Sequence, residues 1–235
     1  MPSSPRTAHP FRDLDVIDSR APRTNQSVVG VGSLIAILTG WWPILALLAL
    51  QLGVGLRFGR RYCLPCVAYF ALIQPRFGEG PVEDSRPPRF ANQVGFVVLT
   101  AATASYLVGL PVLGAALGGL VAVLALLAAT TGFCLGCEIY RLIARLTGIR
   151  GKRLETVDLR DLGLAQHPGG ELVVSFGHPL CTDCQALEHE IRSSGRSLVS
   201  VDVRTNHRLA RKYGIALVPT AVAVAPDGRV TARLA

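Results

Sequence analysis

The stretch Glu171-Leu-Val-Val-Ser-Phe-Gly-His-Pro-Leu-Cys-Thr-Asp-Cys184 decides the fold of the C-terminal part of this chain. Its β-branched and aromatic residues predict a strand, and the cysteines lie just before a predicted helix over Gln185–Arg192. The unpaired amides of a helix N-terminus lower the pKa of a cysteine thiol and favour the thiolate. The spacing therefore predicts a redox dithiol in which Cys181 attacks and Cys184 resolves, rather than a structural or metal-binding pair.

The residues after this dithiol continue the alternation of strands and helices. A strand is predicted over Ser197–Val203, a helix over His207–Tyr213, and two final strands joined by a turn at Asp227-Gly228. The pattern is typical of an α/β domain, which we place at 154–235.

The strand, the Cys-x-x-Cys helix, the run Lys212-Tyr-Gly-Ile-Ala-Leu-Val-Pro-Thr220 and the final hairpin together resemble thioredoxin. The resemblance implies that Pro219 follows a cis peptide bond and packs beside the dithiol. It also implies that the backbone at Val218 pairs with a bound substrate.

This copy departs from the thioredoxin pattern around the dithiol. Gly177 and Leu180 stand where tryptophans are usual, and Ser175 stands where a buried acidic residue is usual. Thr182-Asp183 replaces Gly-Pro between the cysteines. The reducing potential of about −270 mV known for thioredoxin is therefore not transferred to this chain.

Two residues near the dithiol are candidates for tuning it. Asp183 places an acidic group between the cysteines, which favours a higher pKa for the attacking thiol. His178 precedes Pro179 and can influence the thiolate, although a single histidine in a loop is more often solvated.

The rest of the chain has the composition of a membrane protein. Half of the 235 residues are hydrophobic, and Thr24–Leu56 and Phe90–Cys137 contain no charged residue. A helix needs about 20 apolar residues to cross the hydrocarbon layer, so these stretches predict membrane insertion.

The two uncharged stretches belong to an internal repeat. In each copy a Pro-Arg segment is followed by Asn-Gln, by an apolar stretch broken at a proline (Pro43 or Pro111), and by a Cys-Leu-x-Cys pair. Each copy predicts two helices joined by a turn. We therefore expect a membrane α-helical bundle of four transmembrane helices in two repeated hairpins over 23–147, followed by a linker at 148–153 and the thioredoxin-like domain.

The charge distribution predicts the orientation. The net charge of +8 comes almost wholly from arginines at the ends of the apolar stretches, which explains it without a nucleic-acid partner. The polar leader at 1–22 lacks the apolar core of a signal peptide. We expect a multi-pass protein of the bacterial cell membrane with both termini and the thioredoxin-like domain in the cytoplasm, on the side that carries these residues: Arg57, Arg60, Arg61, Arg76, Arg86, Arg89, Arg141 and Arg145.

The six cysteines form three pairs of equal spacing, and two pairs belong to the membrane domain: Cys63 with Cys66 and Cys134 with Cys137. One interpretation is that they are dithiols that exchange electrons with the soluble pair, with no bound cofactor. The alternatives are a four-cysteine zinc or iron–sulfur site, a persulfide or thiosulfate carrier, and inert cysteines. A quinone partner has no sequence signature.

Residues 18–147 resemble a bacterial four-helix membrane domain of unknown function, family 4395. The segments that carry the resemblance are Ile17-Asp-Ser-Arg-Ala-Pro-Arg-Thr-Asn-Gln26, Arg86-Pro-Pro-Arg-Phe90 and Thr131-Gly-Phe-Cys-Leu-Gly-Cys-Glu-Ile-Tyr140. The resemblance implies no activity. Our prediction is a membrane-anchored thiol–disulfide oxidoreductase whose partners are its own membrane dithiols, or a thiol protein or small sulfur compound.

Overall fold

The computed structural model of this chain describes residues 8–148, 154–164, 171–215 and 217–234. The first seven residues of the expected leader and all but one residue of the expected linker, 1–7 and 149–153, lie outside these ranges. The chain divides into two compact units. The helical unit contains residues 9–80 and 85–140, and the mixed unit contains residues 81–84 and the chain from 141 onward.

Two helical hairpins form the helical unit, as the repeat predicted. Helices α1 (Arg20–Thr39) and α2 (Pro43–Phe58) form the first, and α5 (Arg86–Leu107) and α6 (Pro111–Thr131) form the second. Pro43 and Pro111 each occupy the first position of a helix, where a missing N–H costs no hydrogen bond. Gly40 ends α1 with φ of 70°, a conformation that glycine adopts at little cost.

Small residues allow the four helices to pack closely. α1 packs on α6, α2 packs on α5, and α5 packs on α6, around a core that includes Leu45, Leu99 and Val121. A Cβ on Gly30 would lie 2.8 Å from Leu126 Cγ, and one on Gly114 would lie 2.5 Å from the Tyr106 ring. Close approach of helix backbones through small residues is typical of helices packed in membranes.

Two helices, α5 and α6, have the length and hydropathy of membrane spans. α2 is apolar but has only 16 residues. The outer surface of the bundle carries large exposed apolar side chains, which are unfavourable on a surface in contact with water. Leu47, Val97, Val112 and Val123 are each more than 60 % exposed. The chain is thus compatible with a membrane protein that has two candidate spanning helices.

Short elements connect the hairpins. The chain passes through β1 (Val16–Asp18) before α1, and through α3 (Leu64–Ala68), a π-helical turn at Tyr69–Ile73 and α4 (Gln74–Phe77) after α2. β2 (Val82–Asp84) precedes α5, and α7 (Leu135–Gly148) follows α6. Residues 64–77, between the two hairpins, therefore form short helical turns.

The mixed unit contains a four-stranded sheet in the order β4-β3-β5-β6. Its strands are β3 (Leu172–Gly177), β4 (Ser197–Asp202), β5 (Thr220–Val224) and β6 (Val230–Arg233). β3 runs parallel to β4 and antiparallel to β5, and β5 and β6 form the predicted hairpin. All six residues of β3 are buried, so this strand forms the centre of the core.

Two helices complete the mixed unit. α8 (Thr182–Ser193) begins directly after Cys181, three residues earlier than predicted, because Cys181 itself caps it. α9 (His207–Tyr213) has the predicted bounds. Tyr213 donates a hydrogen bond to Asp161, and Lys212 forms an ion pair with the same carboxylate. These two donors lower the pKa of Asp161.

Candidate functional site

Each of the three cysteine pairs forms its own disulfide, with Cα atoms 5.2 Å apart. Each first cysteine, Cys63, Cys134 or Cys181, immediately precedes a helix. All six cysteines lie in the described part of the chain, and none of them is free. The sequence-predicted site residues are therefore brought together as separate pairs rather than as one cluster.

The Cys181–Cys184 disulfide lies at the start of α8, just beyond the end of β3. The backbone amide of Cys184 donates a hydrogen bond to Cys181 Sγ over 3.2 Å. The exposed fractions of Cys181 and Cys184 are 1 % and 2 %. A hydrogen bond from an amide at a helix N-terminus stabilises a thiolate, so the geometry favours Cys181 as the attacking sulfur after reduction. Asp183 is exposed and lies in the first turn of the same helix.

His178 is buried rather than solvated, with 3 % of its surface exposed. Its Nδ1 accepts a hydrogen bond from the Leu180 amide, and its carbonyl accepts one from the Cys181 amide. Because Nδ1 is an acceptor, Nε2 is the ring nitrogen that can carry a proton. These bonds fix the loop that presents Cys181, which gives His178 a positioning role that the sequence pattern alone did not reveal.

The peptide bond between Val218 and Pro219 is cis, as the resemblance implied. β5 begins at Thr220, directly after this proline, and Thr220 pairs with Phe176 near the end of β3. Val218 belongs to the same buried cluster as the two cysteines. The sheet register thus brings the cis-proline turn and the dithiol to one end of adjacent strands.

A carboxylate of α8 lies near the dithiol. A Cβ on Gly177 would be in ordinary contact with both groups, 3.7 Å from Cys184 Sγ and 3.5 Å from Glu188 Oε1, so the two side chains border the same space beside Gly177. Glu188 is held there by Ser200, whose hydroxyl donates to Oε1 over 2.5 Å. Ser175, at the position where an acid is usual, is fully buried, and its hydroxyl has no hydrogen-bond partner among the residues that the structure describes.

Glu188 was not among the predicted site residues, because the thioredoxin pattern has its buried acid on the strand, at the position of Ser175. The signal was present, since Glu188 lies four positions after Cys184 and therefore on the same face of a helix.

A polar cavity of about 150 Å³ adjoins the Cys63–Cys66 disulfide. Cys63 Sγ lies 3.7 Å from Gln51 Nε2 and 3.8 Å from Asn25 Oδ1. Asn25 donates a hydrogen bond to Asn92 Oδ1 and accepts one from Gln51, so three side-chain amides converge from α1, α2 and α5. Arg60 and Arg89 also line this cavity.

Arg60 has a structural role beside this disulfide. Its guanidinium donates hydrogen bonds to the carbonyls of Pro10, Leu14 and Val16 and so holds the segment before α1. Burial lowers the pKa of Arg60 to about 10, and the nearby charge of Asp15 opposes this shift. The side chain therefore stays cationic at neutral pH.

A second cavity, of about 230 Å³, adjoins the Cys134–Cys137 disulfide. The amide of Cys137 donates a hydrogen bond to Cys134 Sγ over 3.3 Å, in the same way as in the C-terminal pair. The walls are mainly apolar side chains of α1, α5 and α6. Asn25 and Asn92 line this cavity as well as the polar one.

The Asn-Gln pairs were predicted only as part of the repeat, and Gln51 was not predicted as a site residue. Polar amides inside apolar stretches are costly in a membrane and are commonly functional, which was the available signal.

The four membrane cysteines do not converge on one point that could hold a metal. Within the described ranges, no group of three or more histidine, cysteine or acidic residues has the arrangement of a metal site. This geometry offers no support for the four-cysteine metal alternative.

Comparison with known proteins identifies the helical part of the chain. A family model described as "Domain of unknown function (DUF4395)" matches residues 17–145, more than half of the chain. No curated protein and no solved structure matches this chain.

Proposed function

The chain belongs to the DUF4395 family of domains of unknown function, and we propose that it is a membrane-anchored thiol–disulfide oxidoreductase with a C-terminal thioredoxin-like domain. The observation that carries the proposal is the amide of Cys184 aimed at Cys181 Sγ beside the cis-Pro219 turn. This arrangement stabilises one thiolate and leaves a second cysteine within bonding distance to resolve a mixed disulfide.

The proposed reaction has two exchange steps. In the reduced protein the Cys181 thiolate attacks a substrate disulfide, forms a new S–S bond and releases one substrate thiolate, which takes a proton. Cys184 then loses its proton and attacks Cys181 Sγ, which closes the Cys181–Cys184 disulfide and releases the second substrate thiol. The substrate gains two electrons and two protons. Both electrons and one proton come from the dithiol, and the solvent returns the proton that Cys181 gave up when it ionised.

We propose that α1, α2, α5 and α6 all cross the membrane as two hairpins. The supporting observations are the apolar outer surface of the bundle and the short charge-free turns at Gly40–Trp42 and Val108–Leu110. Because the arginines lie at the opposite ends of the hairpins, the positive-inside tendency places those ends, both termini and the redox domain in the cytoplasm.

The membrane dithiols are the proposed electron partners. For a C-terminal domain tethered by a short linker, the effective concentration of the membrane dithiols is in the millimolar range. Thiol–disulfide exchange between the two parts is therefore efficient even if they bind each other weakly. The alternatives of a metal-bound module and of persulfide handling have no supporting observation, so the oxidoreductase is the single function proposed.

A redox titration tests this function. Full-length protein in detergent is equilibrated with glutathione buffers of graded reduced-to-oxidised ratio, free thiols are trapped with a maleimide, and the labelled cysteines are identified by mass spectrometry. We expect Cys181 and Cys184 to change state together, as a two-electron couple. If both stay in one state across the whole range of ratios, the proposed function is wrong.

Glu188 is the proposed proton acceptor for Cys184. A buried thiol must be deprotonated before it attacks, and the Glu188 carboxylate, which borders the same space beside Gly177, can take the proton through a water. We expect Glu188→Gln to slow release of substrate from the Cys181 mixed disulfide by roughly 10–100-fold at pH 7, measured by quenched-flow trapping.

The pH profile distinguishes this role from a structural one. At high pH hydroxide replaces the carboxylate as the proton acceptor, so the rates of Glu188→Gln and the unmodified protein should converge. Glu190→Gln, on the same helix but exposed to solvent, is the matched control and should resolve at the normal rate. Equal rates for Glu188→Gln and the control at pH 7 would exclude Glu188 as the acceptor.

A further inference from the structure

The two membrane disulfides adjoin cavities of different chemistry, although they belong to repeated halves. The cavity at Cys63–Cys66 is lined by two arginines and three side-chain amides. Among the described residues that line the cavity at Cys134–Cys137, no side chain is charged. Asn25, Leu52 and Asn92 line both cavities, so a single layer of side chains separates them.

The Cys134 cavity extends into the apolar part of the bundle. Its walls include Val98, Leu120, Val121 and Leu124, which lie about two to three helical turns from the disulfide end of α5 and α6. The polar groups lie near the other end, where Asn25 and Asn92 line the cavity together with Cys134. The cavity therefore fits a molecule with a polar, hydrogen-bonding ring and an apolar tail.

We propose that this cavity binds a lipid-soluble quinone, which oxidises the Cys134–Cys137 dithiol. The two thiols lose two electrons and two protons and form their S–S bond, and the quinone accepts both electrons and both protons to become a hydroquinone. This inference rests on the proposed function, because it supplies the acceptor to which the dithiols deliver their electrons.

Three features of the cavity support a quinone as the occupant. Quinone carbonyl oxygens are acceptors, and the side-chain amides of Asn92 and Gln26 supply N–H donors in the lining. The flat ring and the isoprenoid tail match apolar walls. The third is the hydrogen bond from the Cys137 amide to Cys134 Sγ, which stabilises the thiolate that gives up electrons most readily.

The polar cavity at Cys63–Cys66 has the complementary chemistry. Its arginines and amides suit a water-soluble thiol or a thiolate of the redox domain. Its volume of about 150 Å³ leaves less room for a quinone ring and its isoprenoid tail. The repeat thus provides two dithiols with different partners: Cys63–Cys66 suits a water-soluble thiol, and Cys134–Cys137 suits a lipid-soluble quinone.

The test uses the full-length protein in lipid nanodiscs. The protein is reduced with dithiothreitol, freed of reductant and mixed with decyl-ubiquinone or menadione as the probe. Loss of quinone absorbance is followed while free thiols are trapped and located by mass spectrometry. We expect one quinone reduced per Cys134–Cys137 disulfide formed, before Cys181 and Cys184 are oxidised.

A cavity-filling variant locates the site. Ala125→Phe places a ring in the cavity and should slow quinone reduction at least 10-fold, while Cys134 and Cys137 remain reducible by dithiothreitol. Val123→Phe is the matched control, because Val123 lies two positions away, is 65 % exposed and does not line the cavity. It should reduce quinone at the normal rate.

The outcomes separate this inference from the proposed function. If quinone oxidises the dithiol equally fast in Ala125→Phe, or never oxidises it, the quinone site is wrong, and a lipid acyl chain becomes the occupant of the cavity. The glutathione titration of Cys181 and Cys184 is independent of that result, so the oxidoreductase proposal stands or falls on its own measurement.

Discussion

Cys181→Ser abolishes disulfide reduction by this protein, with a rate expected to fall roughly 1,000-fold or more, to the uncatalysed background. The physical reason is that the thiolate is the attacking species, and a serine hydroxyl is not ionised by the amide at the start of α8. The measurement is the rate at which the reduced full-length protein reduces a small aromatic disulfide that releases a coloured thiol.

The control for this experiment is Cys184→Ser, which keeps the attacking thiolate. It should release one equivalent of coloured thiol in a fast first step and then stop, whereas Cys181→Ser should show no fast step. A fast first step that persists in Cys181→Ser would mean that Cys184 or a membrane cysteine attacks first, which contradicts the assigned roles.

Cys184→Ala is expected to trap a mixed disulfide of Cys181 that survives at least 100-fold longer than in the unmodified protein. Without the resolving thiol, the intermediate must wait for an outside thiol, and buried sulfur atoms react slowly with such reagents. The trapped bond is located by digestion under non-reducing conditions and mass spectrometry of the linked peptides.

The identity of the linked peptide tests the partnership between the two parts of the chain. We expect a link from Cys181 to Cys63 or to Cys134. Adding Cys66→Ala to Cys184→Ala should increase the yield of a Cys181–Cys63 disulfide, because Cys66 would otherwise resolve it. Adding Cys137→Ala should do the same for a Cys181–Cys134 disulfide. If Cys181 is linked only to other proteins, the membrane dithiols are not its partners, although the redox activity of the domain remains.

Local signals in the sequence were sufficient for several elements. Proline at the first helical position and glycine after the last one mark the ends of helices regardless of what they pack against, so both hairpins and the bounds of α9 were predicted correctly. The alternation of β-branched residues and the Asp227-Gly228 turn determined the final hairpin in the same way. The spacing of Cys181 and Cys184 also forms a local pattern, and it correctly placed this pair at the beginning of a helix. The two membrane pairs were expected only after the second helix of each hairpin, and the structure places each of them at the start of a further helix.

Other features depend on residues that are distant in the chain, and these the sequence did not reveal. His178 is buried although it lies in a loop, and no local pattern encodes this burial. Leader residues such as Val16 and Asp18 are buried in the helical unit because Arg60 and Tyr69 bind them from beyond α2.

What the sequence by itself determined is therefore the set of redox groups and the helices and strands that carry them, because caps, turns and spacing act within a few residues. Only the tertiary structure decided the environment of each dithiol. Packing of α1 against α6 and of α2 against α5 brings Asn25, Gln51 and Asn92 together beside Cys63 and leaves an apolar cavity beside Cys134. Packing of α8 on the sheet brings Cys184 and Glu188 of that helix beside Gly177 of β3. Such environments arise from contacts between segments far apart in the chain, and the chemistry of each cysteine pair depends on them.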